Sequence, residues 1–358
     1  MLLSPVTRPA NSGLEELHES PLTNQSLGTS EIQWKNPGMS TPMERDEFLI
    51  IDQARADNNI DMLLVLPETL KNARQVLDVG CGSGNSTAHI HSKSPENCHC
   101  LGVDTQENID FALNKYLPVK HNNLSYQAVA SPFDLPAAPY ENGWDVISAF
   151  AFFSWIPLEA HTEVLRRMHT LMAPNGFLLA RTQAEGKRPY REATDLVMTF
   201  PEWIPYFQNY TSTYEDQTKR GFKQCLKNAG FEVEICNYFE DEFLFFSRES
   251  MINYFLQWLP QLSEIKGQTL EETGLLHRKF VTQVIDIYCD DKDLCEEIKN
   301  NELIKLIFPG ILATARKKID SKAIQSQSEE NFSKDELDKQ IAYNRNKSHY
   351  FNPIHKII

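Results

Sequence analysis

The chain is short of several things, and each shortage removes a class of function. No apolar run in its 358 residues approaches the roughly 20 residues that a membrane-spanning helix needs. The Met-Leu-Leu start is too brief for the apolar core of a secretory signal. The seven cysteines are odd in number, scattered, and include no CxxC pair, so a disulfide framework is not expected. A reducing, cytoplasmic setting without membrane attachment is the expectation. Basic residues are also few: 35 Lys and Arg stand against 49 Asp and Glu, a net charge of -14, with a pI near 5.2. A broad basic surface for nucleic acid is therefore not expected, which leaves room for a local patch. What is present, 41% hydrophobic and 23% charged residues, is the composition of a globular protein long enough to bury a core.

Residues 1–44 are rich in Ser, Thr, Pro, Asn and Gly and lack a sustained apolar period, which reads as a disordered extension. Two apolar stretches follow, one with Phe48, Leu49 and Ile51 and one with Ile60, Leu63 and Leu64, read as helices leaning on a sheet. Upstream of them, Trp34 and Met39 are candidates to close over a ligand. A βα alternation then begins. Strands are expected at Val76 to Val79, Asn97 to Asp104, LSYQAVA, Trp144 to Phe153 and GFLLART, separated by single amphipathic helices. Such spacing implies right-handed crossovers and a parallel sheet. From Gln183 to Tyr214 the chain is aromatic and marked by proline, as in a cap over a pocket. FEVEICNYFEDEFLFF reads as a sixth strand with an irregular continuation, two helices follow, and FPGILATARK reads as a last strand. Everything after residue 318 is polar and expected to be loosely ordered.

The alternation is organised around VLDVGCGSGNST, Val76 to Thr87: a buried strand, a turn with Gly80, Gly82 and Gly84, and a helix start. Glycines let a ligand approach the backbone, and the first helical N–H groups lack intrahelical partners. A dinucleotide or S-adenosylmethionine (SAM) could sit there. The dinucleotide fingerprint is G-x-G-x-x-G, whereas this turn is G-x-G-x-G with Asp78 two residues before the first glycine. A carboxylate there would repel a pyrophosphate and suits the cationic amino-acid end of SAM. The stretch resembles motif I of the class I SAM-dependent methyltransferases, with the resemblance running over residues 45–318.

The resemblance implies an α/β, Rossmann-like sheet of seven strands in the order 3-2-1-4-5-7-6, strand 7 antiparallel, with helices on both faces. Within the class, the layout is most similar to the trans-aconitate and juvenile hormone acid methyltransferases, which carry a helical insertion that would correspond here to residues 249–301. It also implies residue roles. Gly80, Gly82 and Gly84 would lie along the methionine part of SAM, Cys81 belongs to the same turn and need not be reactive, and Asp78 would orient the ammonium. Asp104, ending the second strand, would accept both ribose hydroxyls, against the plainer reading of a helix cap. Thr105 and Gln106 would border the adenine or ribose. Phe150 and Trp155 would face the sulfonium.

Two positions depart from the family pattern. Where many members place an acid for the adenine amine, this chain has Ser131, with Ala130 backbone groups or Asp134 to assist. Where small-molecule relatives often have histidine after strand four, it has Ser154. No N-P-P-Y or D-P-P-Y motif occurs, which argues against glutamine and adenine amine methylation. No general base is evident, so the catalytic group is unknown. A carboxylate acceptor would need none at neutral pH. The expected acceptor is thus a small-molecule acid, with a protein acceptor or a SAM-binding protein without turnover as alternatives. Arg181 and Arg191 are candidates to receive an acidic substrate. His89-x-His91 with Cys98-x-Cys100 invites a zinc reading, but the two cysteines fall on one face of a predicted core strand, and no metal site is expected.

Overall fold

A computed structural model of the chain describes residues 67–116, 123–140, 142–150, 152–186, 188–211, 216–245, 247–290 and 304–318. The expectations for residues 1–44, for the apolar stretches around Phe48 and Leu63, for Trp34 and Met39, and for the tail after 318 lie outside the described residues. Seven strands form one sheet in the order β3-β2-β1-β4-β5-β7-β6. They are β1 (Gln75–Val79), β2 (His99–Asp104), β3 (Leu124–Ala128), β4 (Trp144–Phe150), β5 (Met172–Gln183), β6 (Phe231–Phe245) and β7 (Ile304–Lys317). β1 to β5 pair in parallel, and β7 runs antiparallel to both β5 and β6. Every residue of β1 is buried, as a central parallel strand covered on both faces requires. The five parallel strands β1 to β5 therefore all present their carboxyl ends at one edge, where the turn after β1 opens.

Strand boundaries differ from the sequence reading, β7 for one starting at Ile304 rather than Phe308, and three differences have a physical reason. β4 stops at Phe150, and Phe152–Trp155 is a 3-10 turn rather than strand. An apolar run does not distinguish a buried strand from a buried turn; here β4 pairs with β1 only over Val146 to Ser148 and is left without that neighbour beyond. β5 starts at Met172, with its register against β4 shifting from Trp144↔Met172 to Val146↔Phe177. The extra residues include Asn175, at φ 61, in the left-handed region that asparagine tolerates. β6 is continuous over 15 residues instead of turning irregular. Its run of Glu240, Asp241 and Glu242 hides the strand period, yet β6 is an edge strand, where charge deters pairing with other chains.

The β6–β7 pair outgrows the sheet. β5 and β7 pair from Phe177↔Arg316 to Gln183↔Gly310, whereas β6 and β7 continue together to Phe245↔Ile304. The two-stranded extension projects from the carboxyl edge of β5, and the cap is built on it. Phe243, Phe245, Ile304, Leu306 and Phe308 of the extension share one apolar cluster with Tyr190 and Val197 of the helix Pro189–Met198, with Trp203, and with Phe280 and Val284 of the helix Leu270–Asp290. A two-stranded ribbon is marginal by itself in water; the helices that bury its apolar side make it stable. Among the described residues no helix is long and apolar enough to cross a membrane.

Beneath the sheet, the Phe153 and Phe222 rings meet edge to face at 5.3 Å, and both are fully buried. Phe222→Ala is expected to cost about 3–5 kcal/mol, read as a lower denaturant midpoint with an unchanged slope in chemical unfolding.

Candidate active site

The turn after β1 is held by its own chain before any ligand is considered. Gly80 N and Cys81 N both donate to Val103 O of β2, at 2.9 and 3.2 Å. All three turn glycines have positive φ: 76° at Gly80, 54° at Gly82 and 83° at Gly84. Their surroundings differ. A Cβ on Gly84 would fall 2.7 Å from the Tyr126 ring, whose hydroxyl donates to Gly84 O at 2.9 Å. A Cβ on Gly80 would fall 3.0 Å from Cβ of Phe152. Only at Gly82 would a Cβ meet nothing within 4 Å among the described residues. Two glycines thus admit the protein's own aromatic rings, and the third presents an open backbone. Gly84 is also the cap position of the helix Asn85–Lys93; it has no side chain to spend on the helix start, and that end of the helix dipole favours an anion.

Two acids flank this turn. Asp78 is 1% exposed, and each carboxylate oxygen accepts one hydroxyl: Oδ2 from Thr87 and Oδ1 from Ser148, both at 2.7 Å. Burial raises its pKa from 3.8 to about 6, against the lowering effect of the two hydroxyls. The folded chain therefore holds a proton that the unfolded chain would release. That contribution to stability is complete below about pH 4 and is lost as pH rises through about 6. At neutral pH a buried carboxylate with two neutral donors is a place where a cation is favoured.

Asp104 is 3% exposed. Its Oδ2 accepts from Gly82 N at 2.7 Å, and its Oδ1 accepts from Thr105 N at 2.7 Å and Asn108 Nδ2 at 2.9 Å. Burial raises its pKa as well. The side chain therefore clamps the open glycine to the end of β2. It does not cap the backbone of the helix that follows. Ser148, Thr87 and Asn108 were not picked out from the sequence, although Ser148 is the one polar side chain in the apolar run Val146 to Phe150 of β4, a usable signal.

The remaining sequence candidates divide. Ala130 is exposed and Ser131 half-buried beside the turn's carboxyl edge; Ser131 Oγ accepts from Phe133 N at 3.2 Å. Cys81 is buried, and burial keeps its thiol protonated. Phe150 is 7% exposed and packs with Val146, Phe177 and Leu179 in the core. Trp155 packs against the cap cluster. Cys98 and Cys100 are fully buried on one side of the strand, their sulfurs 3.9 Å apart.

Past β4 lies the position where relatives of the suspected kind carry histidine. Ser154 Oγ accepts from Gln183 N at 3.0 Å and lies 3.5 Å from Thr182 Oγ1. His161 is fully buried a turn further on. Its Nε2 lies 2.9 and 2.8 Å from the carbonyls of Phe153 and Ile156 and so donates, while Nδ1 accepts from Gln217 Nε2 at 3.1 Å. Burial lowers its pKa. Ser154 and His161 here hold the loop together: both are buried, and both ring nitrogens of His161 are engaged. Arg181, a candidate for an acidic substrate, lies with its guanidinium 4.9 Å from the Phe239 ring centre. Arg191 instead pairs with Asp216, Nη1 to Oδ2 at 2.6 Å.

The glycines give a paired test. Gly82→Ala introduces only the ~1–2 kcal/mol of a left-handed non-glycine residue and should leave a folded chain. Gly84→Ala adds a clash with the Tyr126 ring to the same strain and should lower the melting temperature markedly. Thermal unfolding of the two variants checks the order.

The family described as "Methyltransferase domain" matches residues 51–234, just over half of the chain. Trans-aconitate 2-methyltransferase of Escherichia coli (strain SE11) is 26% identical over 279 residues, covering 75% of this chain and 96% of that protein. The enzyme of the same name from Shigella dysenteriae serotype 1 (strain Sd197) is also 26% identical over 279 residues, with the same coverage. Among solved structures, the YcgJ protein from Bacillus subtilis has a TM-score of 0.47 at 13% identity, covering 74% of this chain and 100% of that one. The chain belongs to the class I SAM-dependent methyltransferases and takes its methyl group from S-adenosyl-L-methionine.

Proposed function

We propose that the chain moves the SAM methyl group to a carboxylate oxygen of a small-molecule acid. The observation that carries this reading is that, among the described residues past β4, Ser154 and His161 are buried and engaged in internal hydrogen bonds, and neither stands as a spare base. An amine or hydroxyl acceptor would have to lose a proton, whereas a carboxylate arrives as the nucleophile. The trans-aconitate methyltransferases, matched over 96% of their length, support the same class of acceptor.

The residues around the turn fit the donor. The open backbone at Gly82 and the uncapped helix start at Gly84 would receive the amino-acid end, the helix start taking its carboxylate. Asp78 would hold the ammonium, the cation that its burial calls for. Asp104 would accept the ribose hydroxyls, with Gly82 N as the bond to be exchanged. Ala130 and Ser131 would border the adenine. When bound, SAM supplies an electrophilic methyl group on a positively charged sulfur. The protein's contribution is then alignment and exclusion of water, which can supply about 7–11 kcal/mol of a barrier. Trp155, anchored in the cap cluster, would close that side.

With methyl-labelled SAM and a panel of small acids, label is expected in the small-molecule fraction and should be released as methanol by mild base, as a methyl ester requires. Base-stable label, or label that precipitates with protein, would overturn the reading and favour an amine or a protein acceptor. The role of Asp78 predicts a pH dependence. Since the ionised form is needed, S-adenosylhomocysteine, which carries the same ammonium, should bind about tenfold more weakly at pH 5 than at pH 7, by calorimetry. Asp78→Asn should flatten that slope.

A further inference from the structure

At the level of Asp78 four strands bring paired residues side by side: Tyr126 of β3, Gly102 of β2, Asp78 of β1 and Ser148 of β4. Residues two apart along a strand share a face, and the neighbours of this row on that face are apolar. Val76, Cys100 and Val146 pack there with Ile90 of the helix Asn85–Lys93. Asp78, Ser148 and Thr87, the polar side chains in this layer, are each no more than 1% exposed. They satisfy one another. Ser148 Oγ donates to Asp78 Oδ1 and Thr87 Oγ1 donates to Oδ2, so each carboxylate oxygen receives one bond. The two donors come from a strand and from a helix, and together they fix both ends of the carboxylate and hence its plane. A carboxylate has room for about four donors, so both oxygens keep capacity for a further one.

Gly102 is what admits Thr87. A Cβ on it would fall 2.8 Å from Thr87 Oγ1, 2.8 Å from Cδ1 of the Tyr126 ring and 3.0 Å from Cβ of Cys81. Glycine weakens a strand interior and often marks a close approach; here a side chain would have to displace the hydroxyl, the ring or the cysteine. The arrangement suits an anion, because hydroxyl donors bind an ionised acceptor more strongly than a neutral one. Against the two hydroxyls stand burial and the like charge of Asp104. The neighbouring thiols add no charge: burial keeps Cys81 protonated, and the Cys98 sulfur together with burial keeps Cys100 so.

We propose that Ser148 and Thr87 are positioning residues for the cofactor's ammonium: they orient the Asp78 carboxylate and hold it as an anion, and Gly102 gives Thr87 the room to do so. The proposal rests on the role given to Asp78 above and goes beyond it: two hydroxyls set the pH below which the cofactor is lost. Removing either hydroxyl disfavours the ionised form. The acid then takes its proton at a higher pH, and cofactor affinity starts to fall at that higher pH.

S-adenosylhomocysteine, titrated calorimetrically into the full chain between about pH 5 and pH 8, reads this directly. For the unaltered chain the affinity should fall below about pH 6. For Thr87→Val, which keeps the side chain's shape, and for Ser148→Ala, the fall should begin about one unit higher. Their affinity should then be about fivefold below that of the unaltered chain at pH 6 and nearly equal to it at pH 8. Thr87→Ser, which keeps the hydroxyl, should follow the unaltered chain. A hydroxyl that served only the fold would lower the melting temperature and leave the midpoint of the profile in place. That outcome in either folded variant, or a Thr87→Ser profile displaced as far as that of Thr87→Val, would overturn the proposal. The Thr87 pair decides the matter if Ser148→Ala does not fold. No binding, a flat profile for the unaltered chain, or a slope that survives Asp78→Asn would overturn the role of Asp78 and this proposal with it. A slope that Asp78→Asn removes and the hydroxyl variants do not move would overturn this proposal alone. Ester formation is read separately, in the labelling assay.

Discussion

The site depends on one buried carboxylate. Asp78 sits at the centre of the sheet with no exposed surface to speak of, gripped by Ser148 from β4 and Thr87 from the helix after the glycine turn. Those two bonds tie three successive pieces of the fold to one another: the strand that carries the turn, its parallel neighbour, and the helix that starts from it. Burying the charge is expensive, as the rise of its pKa to about 6 records. Two hydroxyls offset only part of that. A group so placed is most stable as an anion when a cation lies against it, and the cofactor of this family brings an ammonium.

Asp104 works differently. It is as deeply buried, but it accepts three N–H donors, two from backbone and one from Asn108. One of the three is Gly82, whose open side, unlike those of Gly80 and Gly84, meets no neighbour within 4 Å among the described residues. The second acid therefore positions the backbone over which a ligand would lie, and the ring contacts at Gly80 and Gly84 hold that backbone from behind. A turn that looks like three equivalent glycines is in fact one open residue braced by two packed ones.

The acceptor side is organised by the outgrowth of β6 and β7 past the end of β5. This extension supplies the floor of a cap, and the charged cluster of Arg188, Arg191 and Asp216 fastens the cap to the last residues of β5. Chemistry and specificity are then divided between separate parts of the chain. In the proposed function the parallel sheet edge would hold the methyl donor, and the cap, whose apolar core is distinct from the two cores of the sheet, would face the acceptor.

The sequence by itself determined the strand, glycine turn and helix of Val76 to Thr87 and, through the family resemblance those residues carry, the order of the sheet. Strand, turn and helix of Val76 to Thr87 are contiguous, and their pattern of glycines and one acid reflects local backbone geometry, which is written within a dozen residues. Regular βα alternation is equally local and implies the parallel sheet; the strand order, implied by the family resemblance, is the one the structure has. What only the tertiary structure decided involves partners far apart in the chain. Ser148 reaches Asp78 across 70 positions, and Gly102 leaves the space that the Thr87 hydroxyl occupies. The same holds for Ser154 and His161, whose residue types suggest chemistry and whose hydrogen bonds give them structural work instead. Whether a polar side chain is free to act depends on what else has already claimed its donors and acceptors, and that is settled by packing between distant segments.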